Sequence, residues 1–178
     1  VWHLDENPAT AGAPVTDSTI NAANGTPYGS MPASASSTAK IGQGLAFDGS
    51  NDYVDVGAAS AANALTNNFT VSAWVRPTAL TGTRRFISAA RTLTNNGFGF
   101  GTYGTHPRFS TYGRKNYTHS TVLSTNTWAK LDAVMQNNNA YFYRNGTYLG
   151  GVSYTLSGIA NPDDTLRLGA STITGSST

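Results

Sequence analysis

Cysteine is absent from this 178-residue chain, and glutamate occurs only once, at Glu6. Without cysteine there is no disulfide framework and no thiolate nucleophile or metal ligand. Glycoside hydrolysis ordinarily needs two carboxyl groups flanking the scissile bond, and Asp48, Asp52 and Asp55 are better explained as turn and strand residues. No nucleophile elbow, zinc-ligand pair or phosphate-binding loop is present either. We therefore expect a protein that is not an enzyme and that carries no cofactor.

Long apolar runs are also missing. No stretch approaches the roughly 20 residues that cross a bilayer, so we expect no membrane insertion. Only 11% of the residues are charged, while Asn, Thr, Ser and Gly are abundant. A surface solubilised mainly by neutral hydrogen-bonding groups favours an extracellular or cell-surface microbial protein. The length favours one domain over residues 1–178, large enough to form its own core.

The sequence that is present reads as short β segments separated by turns. Leu45 and Phe47, then Val54 and Val56, alternate with polar or small residues around the turn formers 48–51, which predicts a hairpin. A third strand is predicted over 69–75 and ends at Pro77. Asn145-Gly146 is the strongest hairpin signal, since a type I′ turn favours positive φ at both central residues. Further strands are predicted at 85–89, 98–103, 108–112, 121–123, 128–136, 140–144, 148–152 and 165–168.

No window carries a convincing helical stripe, so the pattern predicts an all-β fold: a two-sheet antiparallel β-sandwich with little or no helix. Residues 5–41 are rich in Ala, Ser, Thr and Pro. We expect them to wrap a sheet edge as a long loop, because they lack apolar periodicity.

Several of these segments together resemble a known family. The stretch 42–77, the strand containing Trp128, the tyrosine-rich strand ending in Asn145-Gly146, and Leu166-Arg167-Leu168-Gly169 are similar to segments of laminin-G-like, concanavalin A-like jelly-roll domains. The resemblance implies a jelly roll whose opening strand is Val1–Leu4. It implies less about function, because the architecture serves lectins, enzymes, adhesins and inert spacers. The acidic strand signature of the glucanase relatives is absent.

The C-terminal end departs from that family. A Gly-rich loop and a last strand usually follow the Leu-Gly strand, whereas here residues 170–178 carry no such strand pattern. Three explanations stay open: the chain is a fragment of a longer protein, Ile173 and its neighbours form a short substitute, or a neighbouring chain donates the strand. In the last case, copies of this chain or another partner would dock at an open sheet edge near Val1–Leu4.

Calcium is the one metal for which the sequence offers weak candidates, namely Asp48, Asn51 and Asp52. Calcium prefers six to eight oxygen ligands, several of them carboxylate, whereas an Asp-Gly-Ser-Asn turn commonly caps its own backbone. Pentraxin-like relatives bind calcium at positions that match Asn95-Asn96 and 171–176, and neither segment contains a carboxylate. Capping is therefore the favoured interpretation of the 48–52 turn.

Charge is unevenly distributed along the chain. No acidic residue lies between Asp55 and Asp132, while eight basic residues fall in that interval, interleaved with phenylalanine and tyrosine. Arginine forks bind carboxylate or sulfate groups, and aromatic faces stack on sugar rings. The alternative is that the phenylalanines form the core and the arginines are dispersed over a solvated face. Nucleic acid is not an expected partner, because no recognition motif accompanies the charge.

Two function classes follow. The first is a non-catalytic carbohydrate-binding or adhesion module for an anionic glycan or cell-surface polysaccharide. The second is a structural subunit of a surface filament or layer, completed by strand donation. For the first, the predicted ligand-binding residues are Arg84, Arg85, Arg91, Asn95, Asn96, Tyr103, Tyr112, Arg114 and Tyr117.

Overall fold

A computed structural model describes residues 1–10, 13–57, 65, 68–89, 97–153 and 165–170. Within these ranges, the only helical element is a short 3-10 turn, Ala33–Ala35. The strands are β1 (Thr26–Tyr28), β2 (Ser36–Thr38), β3 (Gln43–Leu45), β4 (Tyr53–Gly57), β5 (Phe69–Val75), β6 (Thr83–Ala89), β7 (Phe98–Tyr103), β8 (His106–Thr111), β9 (Lys115–Thr118), β10 (Ala129–Gln136), β11 (Asn139–Arg144), β12 (Thr147–Ser153) and β13 (Leu166–Leu168). No described helix has the length and apolar character needed to span a membrane.

Two antiparallel sheets form the body of the domain. The larger has the order β1-β4-β13-β6-β7-β8-β9, and the smaller has the order β12-β11-β10-β5. A separate ribbon pairs β2 with β3. This arrangement confirms the predicted all-β sandwich.

The core lies between the two sheets. Phe98, Phe100 and Phe109 from the larger sheet are at most 1% exposed, as are Leu131 and Phe142 from the smaller sheet. Phe98 and Phe109 stack at 5.7 Å between ring centroids. Because side chains alternate across a strand, burial of these residues fixes which of their neighbours point away from the core.

The predicted Asn145-Gly146 hairpin is confirmed. It joins β11 to β12, with Arg144 opposite Thr147. Asn145 and Gly146 have φ angles of 51° and 81°, as a type I′ turn requires. The Asn145 side chain also accepts a hydrogen bond from the Lys130 amide at 2.9 Å, which ties the turn to β10.

The predicted hairpin around residues 48–51 is wrong. Strand β3 pairs with β2, whereas β4 pairs with β1 and β13. The turn is real, but it carries the chain from the ribbon to the larger sheet instead of folding one strand back on another. Period-two patterning identified both strands correctly, but it does not specify which strands pair.

Three other predictions also need correction. Val1–Leu4 form no strand; Trp2 makes a single isolated bridge to Asp17, and its indole donates to the Ala23 carbonyl at 2.8 Å. The loop predicted over 5–41 contains β1, β2 and the 3-10 turn. Segment 121–123 is not a strand, because the Leu123 amide donates to the Thr105 carbonyl in the β7–β8 turn; β9 pairs with β8 in its place.

Candidate functional site

The outer face of the larger sheet is opened by the sequence Phe98-Gly99-Phe100-Gly101 in β7. The two phenylalanines point into the core, so the two glycines point outward and leave the outer surface of the central strand without side chains. Neighbouring strands contribute long polar and aromatic groups to the same face. The result is a glycine strip, Gly99 and Gly101, that contributes no side chain of its own and has an arginine on each neighbouring strand.

Cross-strand register places those arginines opposite one another. Arg85 of β6 pairs with Gly101, and Gly101 pairs with Arg108 of β8, which in turn pairs with Thr118 of β9. Two strand spacings separate the two arginine Cα atoms, or about 10 Å. No side chain lies between them in this row, because the intervening residue is glycine.

Arg85 is held flat against the sheet. Its Nη2 donates to Ser110 Oγ at 3.1 Å, and Ser110 Oγ donates onward to Asn116 Oδ1 at 2.7 Å. Its guanidinium carbon lies 5.5 Å from the centroid of the Tyr112 ring. Arg85 Nη1 and Tyr112 Oη are both buried without a hydrogen-bond partner, so two polar groups on this face are unsatisfied by the protein.

Arg108 is held by a second set of contacts. Its Nε donates to Thr118 Oγ1 at 2.8 Å, and its guanidinium carbon lies 3.8 Å from the centroid of the half-exposed Tyr103 ring. Partial burial lowers the pKa of Arg108, and the positive charge of Arg85 lowers it further, against an opposing effect of Tyr103. The two like charges thus disfavour each other in the absence of an anion.

No carboxylate among the described residues neutralises this pair. The described ion pairs join Val1 to Asp17, Lys130 to Asp132 and Arg167 to Asp55. Arg85 and Arg108 instead donate hydrogen bonds to hydroxyl groups, and their guanidinium groups pack against tyrosine rings. We call Arg85, Arg108, Tyr103, Tyr112 and the glycine strip the arginine pair site.

Both glycines are needed by the geometry. A Cβ added at Gly99 would lie 2.8 Å from Arg85 Nε and would overlap the Tyr112 hydroxyl. A Cβ added at Gly101 would overlap the carbonyl oxygen of Arg84, which adjoins a register shift in the β6–β7 pairing. The absence of a side chain at Gly99 therefore leaves space for the Arg85 and Tyr112 side chains, whereas its absence at Gly101 leaves space for the Arg84 backbone.

The structure separates the predicted binding residues. Arg85, Tyr103 and Tyr112 come together on the outer face. Arg84 is directed elsewhere, with Nη2 3.5 Å from Thr81 Oγ1. Arg114 lies in the β8–β9 turn, where its amide donates to the Thr111 carbonyl. Arg91, Asn95 and Asn96 lie outside the described residues.

Tyr117 does not suit the role of a sugar-stacking residue. It is 2% exposed and packs in the core, 6.4 Å from the Phe109 ring. Position in β9 explains this, because Tyr117 is the register partner of the inward-pointing Phe109. Tyr112 is also buried, at 8% exposure, so of the three tyrosines only Tyr103 offers a ring face to solvent.

Four residues of the face were not among the predicted binding residues: Arg108, Ser110, Asn116 and Thr118. A signal for them was present in the alternation of β8, in which buried Phe109 forces Arg108 and Ser110 outward. The partners in β9 then follow from register. That register depends on where β9 lies, and the sequence pattern placed this strand too late in the chain.

The 48–52 turn caps its own backbone. Asp48 Oδ1 accepts the amides of Ser50, Asn51 and Asp52 at 2.8, 3.1 and 3.2 Å, and Asp52 Oδ2 accepts the Asp48 amide at 3.0 Å. The Ser50 amide is the main cause of a lowered pKa of Asp48. The described residues contain no group of three or more His, Cys, Asp or Glu suited to a metal. These hydrogen bonds fit the capping interpretation of the turn.

Comparison with solved structures finds similar folds at low identity. Domain 4 of an extracellular arabinanase from Geobacillus stearothermophilus, in complex with arabinotriose, is 18% identical with a TM-score of 0.56, covering 76% of this chain and 66% of that one. A structure of botulinum neurotoxin type C, whose cell entry depends on two ganglioside molecules, is 16% identical with a TM-score of 0.53, covering 72% and 33%. The binding domain of botulinum neurotoxin serotype D/C is 17% identical with a TM-score of 0.53, covering 67% and 32%.

The chain thus spans 66% of the arabinanase domain structure and about a third of each neurotoxin structure. At these identities the likeness concerns the fold alone. A search of curated proteins returns no significant match. A family model described as the concanavalin A-like lectin/glucanases superfamily, of the laminin G type, matches residues 48–178. The chain therefore belongs to the concanavalin A-like lectin/glucanase superfamily.

Proposed function

We propose that this domain is a non-catalytic carbohydrate-binding or adhesion module of an extracellular protein, and that it holds an anionic glycan at the arginine pair site. One observation carries the proposal: Arg85 and Arg108 lie across a side-chain-free strand, and no described carboxylate contacts either of them. Like charges placed together without a counter-charge raise the free energy of the unliganded protein. An anion that bridges them would relieve this repulsion.

The contacts leave donors available to a ligand. Among the described residues, Arg108 donates to a protein acceptor through Nε, and its Nη1 and Nη2 form a fork suited to a carboxylate or sulfate group. Tyr103 is 50% exposed beside it and offers a ring face to the apolar side of a sugar. A uronic-acid or sulfated polysaccharide combines the anionic group and the sugar ring that this surface requires.

The ligands of two structural relatives support the carbohydrate class without specifying the sugar. The arabinanase domain is in complex with a sugar oligomer, and the neurotoxin interacts with gangliosides. The groups on the described outer face that the site uses are guanidinium, hydroxyl and amide. Binding, and not bond cleavage, is what such groups provide, since glycoside hydrolysis uses a pair of carboxyl groups.

Retention on immobilised heparin and polygalacturonate tests the proposal. We expect the wild-type domain to be retained at low ionic strength and to elute as salt screens the contacts. The double variant Arg85→Gln/Arg108→Gln should lose about tenfold or more in affinity, since hydrogen bonds to charged groups contribute about 1.5–3 kcal/mol each. Tyr103→Ala should lose less, because only stacking is removed.

Arg84→Gln is the matched control. Like each of the single variants Arg85→Gln and Arg108→Gln, it removes one positive charge, but the Arg84 side chain contacts Thr81 and not the arginine pair site. A general attraction between a basic domain and a polyanion would weaken equally in the control and in the two single variants, and that result would contradict the proposal. Absence of retention at low ionic strength would contradict it as well.

A further inference from the structure

The smaller sheet presents a second, differently built outer face. Trp74 of β5 is 38% exposed and Tyr148 of β12 is 55% exposed. Tyr141 and Tyr143 of β11 point the same way, since their strand neighbours Ala140 and Phe142 are buried in the core. We call the set Trp74, Lys130, Asp132, Tyr141, Tyr143 and Tyr148 the tyrosine face. None of these residues takes part in the arginine pair site.

The tyrosine rings form a connected surface. The Tyr148 ring centroid lies 5.3 Å from Tyr143 and 6.5 Å from Tyr141, with interplanar angles of 51° and 42°. Gly151 permits this packing, because a Cβ there would lie 2.8 Å from the Tyr141 ring. Trp74 stands two strands from Tyr143, or about 10 Å across the sheet. The aromatic groups therefore line two sides of a shallow surface.

Polar residues of β10 lie between Trp74 and the tyrosines, and Lys130 is the register partner of Trp74. Asp132 of β10 has Ser72 and Tyr143 as its register partners on either side. Its Oδ1 accepts the Ser72 hydroxyl and pairs with Lys130 Nζ at 3.1 Å. Both contacts use Oδ1, and no donor among the described residues contacts Oδ2. Asp132 is 9% exposed, so this nearly buried carboxylate keeps one oxygen that no described residue contacts, next to the aromatic residues of the face.

We propose that the tyrosine face is a second glycan-binding site, and that its ligand is a neutral oligosaccharide. Ring faces stack on the C–H surface of a sugar, while Asp132 Oδ2 accepts a sugar hydroxyl and Lys130 Nζ donates to another. The neighbouring Lys130 and Asp132 cancel in charge, so the centre of the face offers an anionic sugar no electrostatic advantage, although Lys40 adds a positive charge beside Trp74, with Nζ 6.0 Å from its ring centroid. The two outer faces of the sandwich would then bind neutral and anionic segments of a polysaccharide on opposite sides of one domain.

Affinity electrophoresis through gels containing arabinan, xylan, mixed-linkage β-glucan or galactomannan tests this inference. We expect retardation of the wild-type domain in at least one neutral polymer, with little dependence on salt. Trp74→Ala/Tyr148→Ala should lose about tenfold or more in affinity, since each exposed ring contributes on the order of 1 kcal/mol. Exposure of both side chains means that their removal should leave the fold intact, which circular dichroism checks.

The second readout is tryptophan fluorescence. Of the three tryptophans, Trp74 alone is a member of the tyrosine face, so a neutral ligand should change its emission, and the change should vanish in Trp74→Phe. Arg85→Gln/Arg108→Gln is the control, and it should keep full retardation by the neutral polymer. This control separates the two sites: failure of the arginine pair site would leave the neutral-sugar result untouched, and the reverse also holds.

Three outcomes would overturn the inference. The first is absence of retardation in every neutral polymer, and the second is retardation that survives Trp74→Ala/Tyr148→Ala. The third is concentration-dependent self-association of the wild type that Trp74→Ala abolishes, because the face would then be covered by a second copy of the chain.

Discussion

Arginine lies over tyrosine at two places on the outer face of the larger sheet, and the two places differ in their counter-charge. At one end the Arg167 guanidinium carbon is 4.6 Å from the Tyr53 ring centroid, and Arg167 Nε contacts Asp55 Oδ2 at 3.3 Å. At the other end Arg85 and Arg108 lie over Tyr112 and Tyr103, with no described carboxylate in contact. Both places have arginine packed on tyrosine, but only Arg167 has a described carboxylate as its counter-charge.

The difference separates a structural arrangement from one suited to binding. Arg167 and Asp55 are register partners on adjacent strands, so their pair also joins β13 to β4. A guanidinium group that is already paired with a carboxylate attracts an external anion only weakly. The arginine pair site has no described counter-charge, as the anion-binding role proposed for it requires.

The largest expected effect comes from adding a side chain to the glycine strip of β7. Gly101→Ala would place a Cβ within 2.9 Å of the Arg85 Cα and into the Arg84 carbonyl. Since backbone atoms cannot move aside cheaply, we expect a loss of about 3 kcal/mol in unfolding free energy, measured by urea denaturation.

Gly99→Ala is the matched control for that variant. Its added methyl group meets the ends of the Arg85 and Tyr112 side chains, which can shift, so the stability loss should be smaller while anion retention still falls. Equal stability losses at the two glycines would show that the backbone at Gly101 adapts, contrary to expectation.

A carboxylate introduced at the arginine pair site should make it resemble the Arg167 end. Asn116→Asp preserves the side-chain shape, and the new carboxylate would still accept from Ser110, which contacts Arg85. We expect retention on heparin to fall by about threefold to tenfold, since hydrogen bonds and charge pairs of this kind contribute on the order of 1 kcal/mol. Unchanged retention would mean that Arg85 does not contact the anion.

The reverse change should release the other arginine. Asp55→Asn removes the carboxylate that pairs with Arg167 and leaves an amide that can still accept from the Gly57 amide, as Asp55 Oδ1 does at 2.8 Å. We expect a loss of about 0.5–1 kcal/mol in stability, because partly exposed ion pairs are weak. Heparin retention should rise modestly, and a decrease would contradict the comparison.

Much of this fold could be predicted from the sequence, because burial of Phe98, Phe100 and Phe109 imposes period-two patterns that are visible without a structure. Pairing could not be predicted as well. Alternation assigns a face to each residue but not a neighbouring strand, which is why the ribbon strand β3 was assigned to the wrong partner.

The candidate site shows the same limit. Charge composition indicated a basic region, yet it did not distinguish Arg84 from Arg85, which are adjacent in sequence but make separate contacts. Composition also does not show that Tyr117 faces the core, because its face depends on pairing with Phe109. Arg108 entered the site only through its register with Gly101. The sequence thus indicates which residue types are present, whereas strand register determines which of them lie together on the outer face.

Asp48 offers a third way to satisfy a charge, through backbone amides alone. Because the Ser50 amide and its neighbours lower the pKa of Asp48, the carboxylate contributes stability above the ordinary pKa of aspartate, about 3.9. That contribution is lost as pH falls through the lower pKa of the folded state. We expect Asp48→Asn to lower Tm by a few degrees at pH 6, with the difference narrowing below pH 4. A constant difference from pH 6 to pH 3 would contradict this cause.

The smallest expected effect concerns the aromatic stacking of Tyr28 at the outermost strand of the larger sheet. Tyr28 of β1 is 47% exposed and stacks on Tyr53 at 5.0 Å with an interplanar angle of 8°. Tyr28→Ala should cost about 0.5–1 kcal/mol in unfolding free energy, since a stacked pair contributes little beyond its buried area. Heparin retention should not change, because Arg167 stays paired with Asp55. Lower retention in Tyr28→Ala would mean that the anionic ligand extends across the whole outer face of the larger sheet. The neutralised end at Arg167 and the charged end at Arg85 and Arg108 would then be two parts of one binding surface.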